Sequence, residues 1–400
     1  MGDLLASRRV LQVLYEKGMA TQAEVAEQLE VTLGACSLHF QRLEYEGLIR
    51  GRRVDARRRG RPLSRWEIDR ERNCTMGLVF NPPHLHLQLE DFGGLTILAR
   101  EANLSACEGV GDVEACVLKL VREAVGVVKS REAVLRYACT ALPGVIDPAT
   151  GGVRRAVNFP ALEGLDMQAL LKARHAVPTY VNSLGVAYFY GEVDQIPRDR
   201  TAMVFYWDLG LGFIFGRNRH LLAVQGGEGR GQPFSELGHV KVIDDGPRCH
   251  CGQTGCLEAY AGGRVLLNKF ARRGVRTLED LAHLAEAGKP DVALVIADTT
   301  RQLGRHLAWP LQMLGVSELR VTGPLARVFE LGREAFVSGL AEVVGVSRAH
   351  ALNVAVNGDY QSSLLQGANL AARRVYLYPE EFERLSPVSS TLQGQHMAGV

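Results

Sequence analysis

Three cysteines and two histidines crowd one short stretch, in Glu236-Leu237-Gly238-His239 and then Cys249-His250-Cys251-Gly252-Gln253-Thr254-Gly255-Cys256-Leu257-Glu258. Thiolate and imidazole are the usual ligands of a closed tetrahedral zinc site. His239, Cys249, Cys251 and Cys256 make a full set of four and leave no open position for catalysis, so the expected role is structural zinc. His250 is an alternative fourth ligand, disfavoured by its place between two ligand cysteines. Gly252 and Gly255 let the backbone wrap tightly around one ion. Buried free thiols or a disulfide are the competing readings. The dense spacing argues against the first and a reducing compartment against the second. The other five cysteines, Cys36, Cys74, Cys107, Cys116 and Cys139, are scattered and read as small buried hydrophobes.

A second chemistry is suggested by charge. The net charge of the 400 residues is only +2, but ten arginines face four acidic residues between Arg50 and Arg72. Such a block suits a polyanion. It follows a helical pattern. Val10, Leu11, Val13 and Leu14 recur at helical spacing, and Thr21 with Glu24 reads as a capping box opening a helix over Gln22 to Leu29. A turn around Glu30 to Thr32 leads to a second helix over about Leu33 to Glu46, closed by Gly47, with Leu38, Leu43 and Leu48 expected inward. Leu48-Ile49-Arg50 and Ser64 to Ile68 read as two short strands joined by the arginine-rich loop. Helix, turn, helix and basic hairpin describe a winged helix-turn-helix that holds double-stranded DNA. Ser37, His39, Gln41 and Arg42 are the candidates for base edges. Arg57, Arg58, Arg59 and Arg61 are the candidates for phosphates or the minor groove. A small helical bundle with a solvated loop is the plainer reading, and the ordered sequence of three features argues against it.

Beyond Cys74 the pattern becomes α/β. Strands are predicted over Met76 to Phe80, Leu85 to Leu89, Ala133 to Ala141, Thr201 to Tyr206 and Leu319 to Thr322. Helices are predicted over Val113 to Lys129 and Val292 to Leu314, with Pro310 at a kink or end. The length suggests two or three domains, divided here as 1–72, 73–385 and a tail, 386–400, expected to be mobile. The hydrophobic share of 46% and charged share of 22% fit a globular chain. No apolar run is long enough for a membrane span and no secretory signal opens the chain, so the cytoplasm is the expected compartment.

The cysteine-rich stretch resembles the ROK family (repressors, open reading frames, kinases), whose members carry Glu-x-Gly-His and then Cys-x-Cys-Gly-x-x-Gly-Cys-Leu-Glu. The resemblance extends to Pro143-Gly144-Val145-Ile146-Asp147, Gly210-Leu211-Gly212 and Thr322-Gly323-Pro324-Leu325, and covers about Arg8 to Arg373. It implies two α/β lobes of the actin-like, sugar-kinase-like type with a zinc loop at 236–258. It also implies that Asn158, Asn182, Glu236, His239 and Glu258 contact sugar hydroxyls, with His239 touching both sugar and zinc. Local capping and support of the zinc loop is the other reading of Glu236 and Glu258.

The resemblance breaks where kinase chemistry would need it. The family's kinases end a strand in Asn-Asp, the Asp being the general base; here Asn182 is followed by Ser183, and a serine is no base near neutral pH. Their Asp-x-Gly-x-Thr phosphate turn is replaced by Asn81-Pro82-Pro83-His84, and two prolines remove two amide donors. The expectation is a non-enzymatic transcriptional regulator, a repressor of carbohydrate metabolism. It would be a homodimer or dimer of dimers on a pseudo-palindromic operator, with a sugar or sugar derivative as effector. An active ATP-dependent sugar kinase with an appended DNA-binding domain is the alternative, and a regulator controlled by a protein partner is a third.

Overall fold

The computed structural model describes residues 2–54, 63–147, 150–156, 158–222, 224–225, 231–232, 234–235 and 237–383. The expected contacts Arg57, Arg58, Arg59, Arg61 and Glu236, and the tail from 386, lie outside the described residues. The chain forms two compact units, one of residues 1–183 and 368–400, the other of residues 184–367.

The first unit opens with three helices, α1 (Gly2–Lys17), α2 (Gln22–Leu29) and α3 (Leu33–Tyr45). The capping box at α2 is formed: Thr21 N donates to Glu24 Oε2 at 2.7 Å and Glu24 N to Thr21 Oγ1 at 3.2 Å. Thr32 caps α3 by the forward bond alone, its Oγ1 accepting from Ala35 N at 3.2 Å. Strands β1 (Ile49–Val54) and β2 (Leu63–Ile68) pair antiparallel as the wing. Ala20 bridges to Trp66, and Trp66 meets Phe40 of α3 edge-on at 5.3 Å. Val10, Val25, Cys36, Phe40 and Leu43 are buried, which gives the three helices one common core. Leu38 departs from expectation. It points outward, because at about 100° per residue it lies roughly opposite the buried Cys36 and Phe40.

The same unit continues into a mixed sheet. Strands β3 (Asn73–Asn81), β4 (His84–Asp91) and β5 (Thr96–Asn103) are antiparallel, while β6 (Val134–Leu142) and β7 (Thr179–Ser183) run parallel to β3, in the order β5-β4-β3-β6-β7. Helix α4 (Val110–Ser130) buries Val113, Val117, Leu120, Val121, Ala124 and Val128, a single stripe at helical spacing, in a core shared with β3, β4 and β6. Pro82-Pro83 close the β3–β4 hairpin in two residues, Asn81 facing His84.

The helix-turn-helix is fastened to this sheet by polar contacts. Arg136 on β6 donates from Nη2 to the Glu46 carbonyl at the C-cap of α3 and from Nε to Asn73 Oδ1, both at 2.6 Å. Asn73, fully buried, donates to the carbonyls of Gly47 and Asp69. From the other side, Gln12 of α1 donates to the Leu377 carbonyl at 2.8 Å and Tyr378 Oη donates to Glu16 at 3.0 Å.

In the second unit, β8 (Thr201–Trp207) and β9 (Leu211–Arg217) form an antiparallel hairpin, joined by the parallel strands β10 (Glu318–Thr322) and β11 (Asn353–Val356). Phe205, Trp207, Phe213, Phe329 and Phe336 build its aromatic core. A helix over Pro290–Met313 packs on that over Arg333–Val344 at Gly304 and Gly339; a Cβ at either would lie 2.1 Å from a carbonyl oxygen of the other helix. Pro310 falls in the last turn of the first of these. Among the described residues no helix is long and apolar enough to cross a membrane.

Candidate metal centre and nucleic-acid interface

The cysteine-rich loop of the second unit is built from tight turns. Cys249 N donates to the Gln253 carbonyl and Gly252 N to the Cys249 carbonyl, closing the Cys-x-Cys turn. Gly252 and Gly255 take φ of +99° and +76°. A Cβ on Gly255 would stand 1.8 Å from the Ile243 carbonyl oxygen, so only glycine fits there. The turns bring His239, Cys249, Cys251 and Cys256 together with all four ligand atoms within 4.8 Å of one another. Cys251 Sγ and Cys256 Sγ are 3.7 Å apart, and Cys249 Sγ lies 3.5 Å from His239 Nδ1. A tetrahedral zinc has ligand edges of about 3.8 Å between sulfurs and about 3.6 Å between sulfur and nitrogen, given its usual bond lengths. The donor set and its spacing therefore fit zinc. Burial pushes the Cys256 thiol up to about 12, with hydrogen bonds to the other two thiols adding to it.

His250 takes a different path. Its Nδ1 lies 3.9 Å from Cys249 Sγ but 3.1 Å from Glu258 Oε1. Glu258 is buried, and its other oxygen accepts from Leu211 N at 2.8 Å. A Cβ on Gly210 would be 2.5 Å from that oxygen, which explains the glycine. His239, His250 and Glu258 form a second close group. In the same unit Gly212, on β9 opposite Tyr206, is covered by an aromatic ring. A Cβ there would collide with Tyr206, which itself stacks on Tyr188 at 4.8 Å. Burial raises the carboxyl of Asp208, which otherwise accepts only from Leu209 N among the bonds seen, at 2.6 Å.

In the first unit, β7 ends in Asn182 and Ser183. Asn182 is buried and locally satisfied: Nδ2 donates to Tyr180 Oη and Oδ1 accepts from Ser183 N. Ser183 Oγ is buried and makes no hydrogen bond among the described residues. Asn158 lies on an exposed turn.

On the helix-turn-helix, α3 shows an outer face. Gln41 is exposed on it, while Ser37 is half-buried. His39, also half-buried, turns its Nδ1 to Ser7 Oγ at 3.0 Å, and Arg42 pairs with Glu46 at 3.1 Å. The outer face is instead carried by Gly34, Ala35, Leu38, Gln41 and Tyr45. Arg136 and Asn73 had no motif to mark them in the sequence.

A helix-turn-helix with its wing, set on an α/β lobe and followed by a lobe with a Cys3His loop, defines a DNA-binding regulator on a sugar-kinase-like scaffold. Residues 97–374 match the ROK family and residues 6–50 match a winged helix-turn-helix DNA-binding domain. The chain belongs to the ROK family. It is similar to the xylose repressor of Caldicellulosiruptor bescii, 20% identical over 353 residues, which span 84% of this chain and 86% of that protein. It is also similar to the glucokinase of Thermotoga maritima, 31% identical over 157 residues, 39% of this chain and 48% of that enzyme. Among solved structures, a ROK family transcriptional regulator homologous to the Escherichia coli Mlc protein superposes with a TM-score of 0.77 at 18% identity, covering 97% of this chain and 98% of that one.

Proposed function

We propose that the chain is a transcriptional repressor of carbohydrate metabolism whose hold on DNA is set by a sugar or sugar derivative. The observation that carries it is the union, in one compact unit, of a helix-turn-helix with a ROK sheet whose strand β7 ends in Ser183 rather than a carboxylate. That strand lacks the acceptor that would take a proton from a sugar hydroxyl. Pro82 and Pro83 leave the β3–β4 turn without two amide donors. Residues 1–72 serve as the reader of DNA and 73–385 as the sensor. Asn158, Asn182, Glu236, His239 and Glu258 contact the effector, and His239, Cys249, Cys251 and Cys256 hold a structural zinc. The reader acts as a homodimer on a pseudo-palindromic operator, since two-fold protein symmetry is mirrored in the site.

The test is selection of duplexes from a random pool by the full chain, with and without a panel of sugars and sugar phosphates. An enriched inverted repeat whose binding a sugar weakens is the expected result. The similarity to a glucokinase gives the alternative, an active kinase with an appended reader. ATP-dependent phosphorylation of a hexose at an enzyme-like rate by the purified chain would favour it.

A further inference from the structure

The outer face of α3 is unusually apolar for a helix that meets DNA. Leu38 is 66% exposed and Tyr45 92%. Gly34, Ala35 and Gln41 are exposed beside them, and no cation of this helix faces outward, Arg42 being paired with Glu46. The arrangement is fixed from within: Cys36, Phe40 and Leu43 fill the helix-turn-helix core, so Leu38 cannot turn inward without emptying it. It is fixed at both ends too, by the Thr32 cap and by the Arg136 bond to Glu46.

Leu38, Ala35 and Tyr45 are grouped on one exposed face, and such a contiguous apolar patch marks an interaction surface. On the edges of base pairs in the major groove one apolar group is available, the 5-methyl of thymine. Gly34 and Ala35, without bulk at the start of the helix, let the backbone approach the groove closely. Gln41, one turn beyond Leu38 on the same face, has the donor and acceptor that adenine presents a match for at N7 and N6.

We propose that Leu38, with Ala35 beside it, reads thymine 5-methyl groups, so that this regulator's half-sites are specified at A·T pairs by apolar contact as well as by hydrogen bonds. The inference rests on the reading of the chain as an operator-binding regulator and adds the chemistry of what it reads.

The experiment uses the full chain and the duplexes it enriches from a random pool. Each thymine of the enriched half-site is replaced in turn by deoxyuridine, which removes the methyl and nothing else. Burial of one methyl corresponds to about fourfold in affinity. The expected result is a loss of about fourfold at one or two positions for the wild type, and no loss at those positions for Leu38→Ala. The Leu38 side chain being exposed, that variant keeps the wild-type thermal midpoint. Uracil tolerated at every position, or equal uracil sensitivity in wild type and Leu38→Ala, overturns the contact while leaving the regulator reading intact. A change of oligomeric state in Leu38→Ala with unaltered base preference also overturns it and assigns the face to a second copy. A pool with no enriched motif sinks the regulator reading, and this inference with it.

Discussion

Replacing Arg136 by Met should loosen the C-terminal end of α3 from the sheet that carries it. The Met keeps the aliphatic stem, so packing changes little, but two charge-assisted bonds vanish, to the Glu46 carbonyl and to Asn73 Oδ1. A hydrogen bond from a charged donor contributes about 1.5–3 kcal/mol, and an orphaned buried acceptor costs about 1–3 kcal/mol. Asn73 has no exposed surface, so its Oδ1 cannot turn to water. Against this, the half-buried guanidinium itself resists burial, which draws its proton affinity below the ordinary arginine value. The net loss is about 2 kcal/mol, or about thirtyfold in a local opening equilibrium. Amide exchange read by mass spectrometry across residues 43–50 is the direct assay, because Leu48 N to Leu43 O closes the helix there. Exchange about thirtyfold faster in that segment is expected, with α4 unaffected. A double-mutant cycle with Asn73→Ala should give a coupling above about 1 kcal/mol. Unchanged exchange together with a coupling near zero would refute the clamp.

Other outcomes follow from the same geometry. Purified chain should hold one zinc, which Cys256→Ser abolishes and His250→Ala leaves in place; elemental analysis of the two variants separates His239 from His250 as the fourth ligand. Gly255→Ala should lose the metal as fully as a ligand variant, since its Cβ would meet the Ile243 carbonyl at 1.8 Å, and retention of zinc would show that the loop yields. Burial holds Glu90 at about 7 despite Arg373 at 3.1 Å. With the folded value above the unfolded one, the unfolded chain releases this proton first. Stability should therefore fall as pH rises from about 4.5 to about 7 and level off above it. Urea midpoints across that range should show the fall in wild type and a flatter profile in Glu90→Gln.

Much of the site could be read from neighbours in the chain. The candidate metal ligands lie within eighteen residues of chain, the three cysteines within eight, so cysteine spacing and two glycines sufficed to point to them. The α2 capping box was equally local, its two hydrogen bonds spanning three residues. The boundaries of α2 and α3 and the wing strands came from patterns of the same short range.

Leu38 shows where such patterns fail. Read alone, it is one more leucine on an amphipathic helix, expected inward. Its direction was decided by Cys36, Phe40 and Leu43, which pack against α1, α2 and Trp66 and leave no room on the inner face. The bond from Leu211 N to Glu258 was also invisible, because the two residues lie 47 positions apart and meet beside Gly210. So was the Arg136 clamp, 90 residues from Glu46. The sequence by itself determined the local chemistry: which residues could bind metal, cap a helix or turn a chain, since those depend on contacts a few residues apart. Tertiary structure alone decided which face each helix shows and which polar groups meet, because a hydrogen bond or a packed ring between distant segments depends on a fold that brings them together.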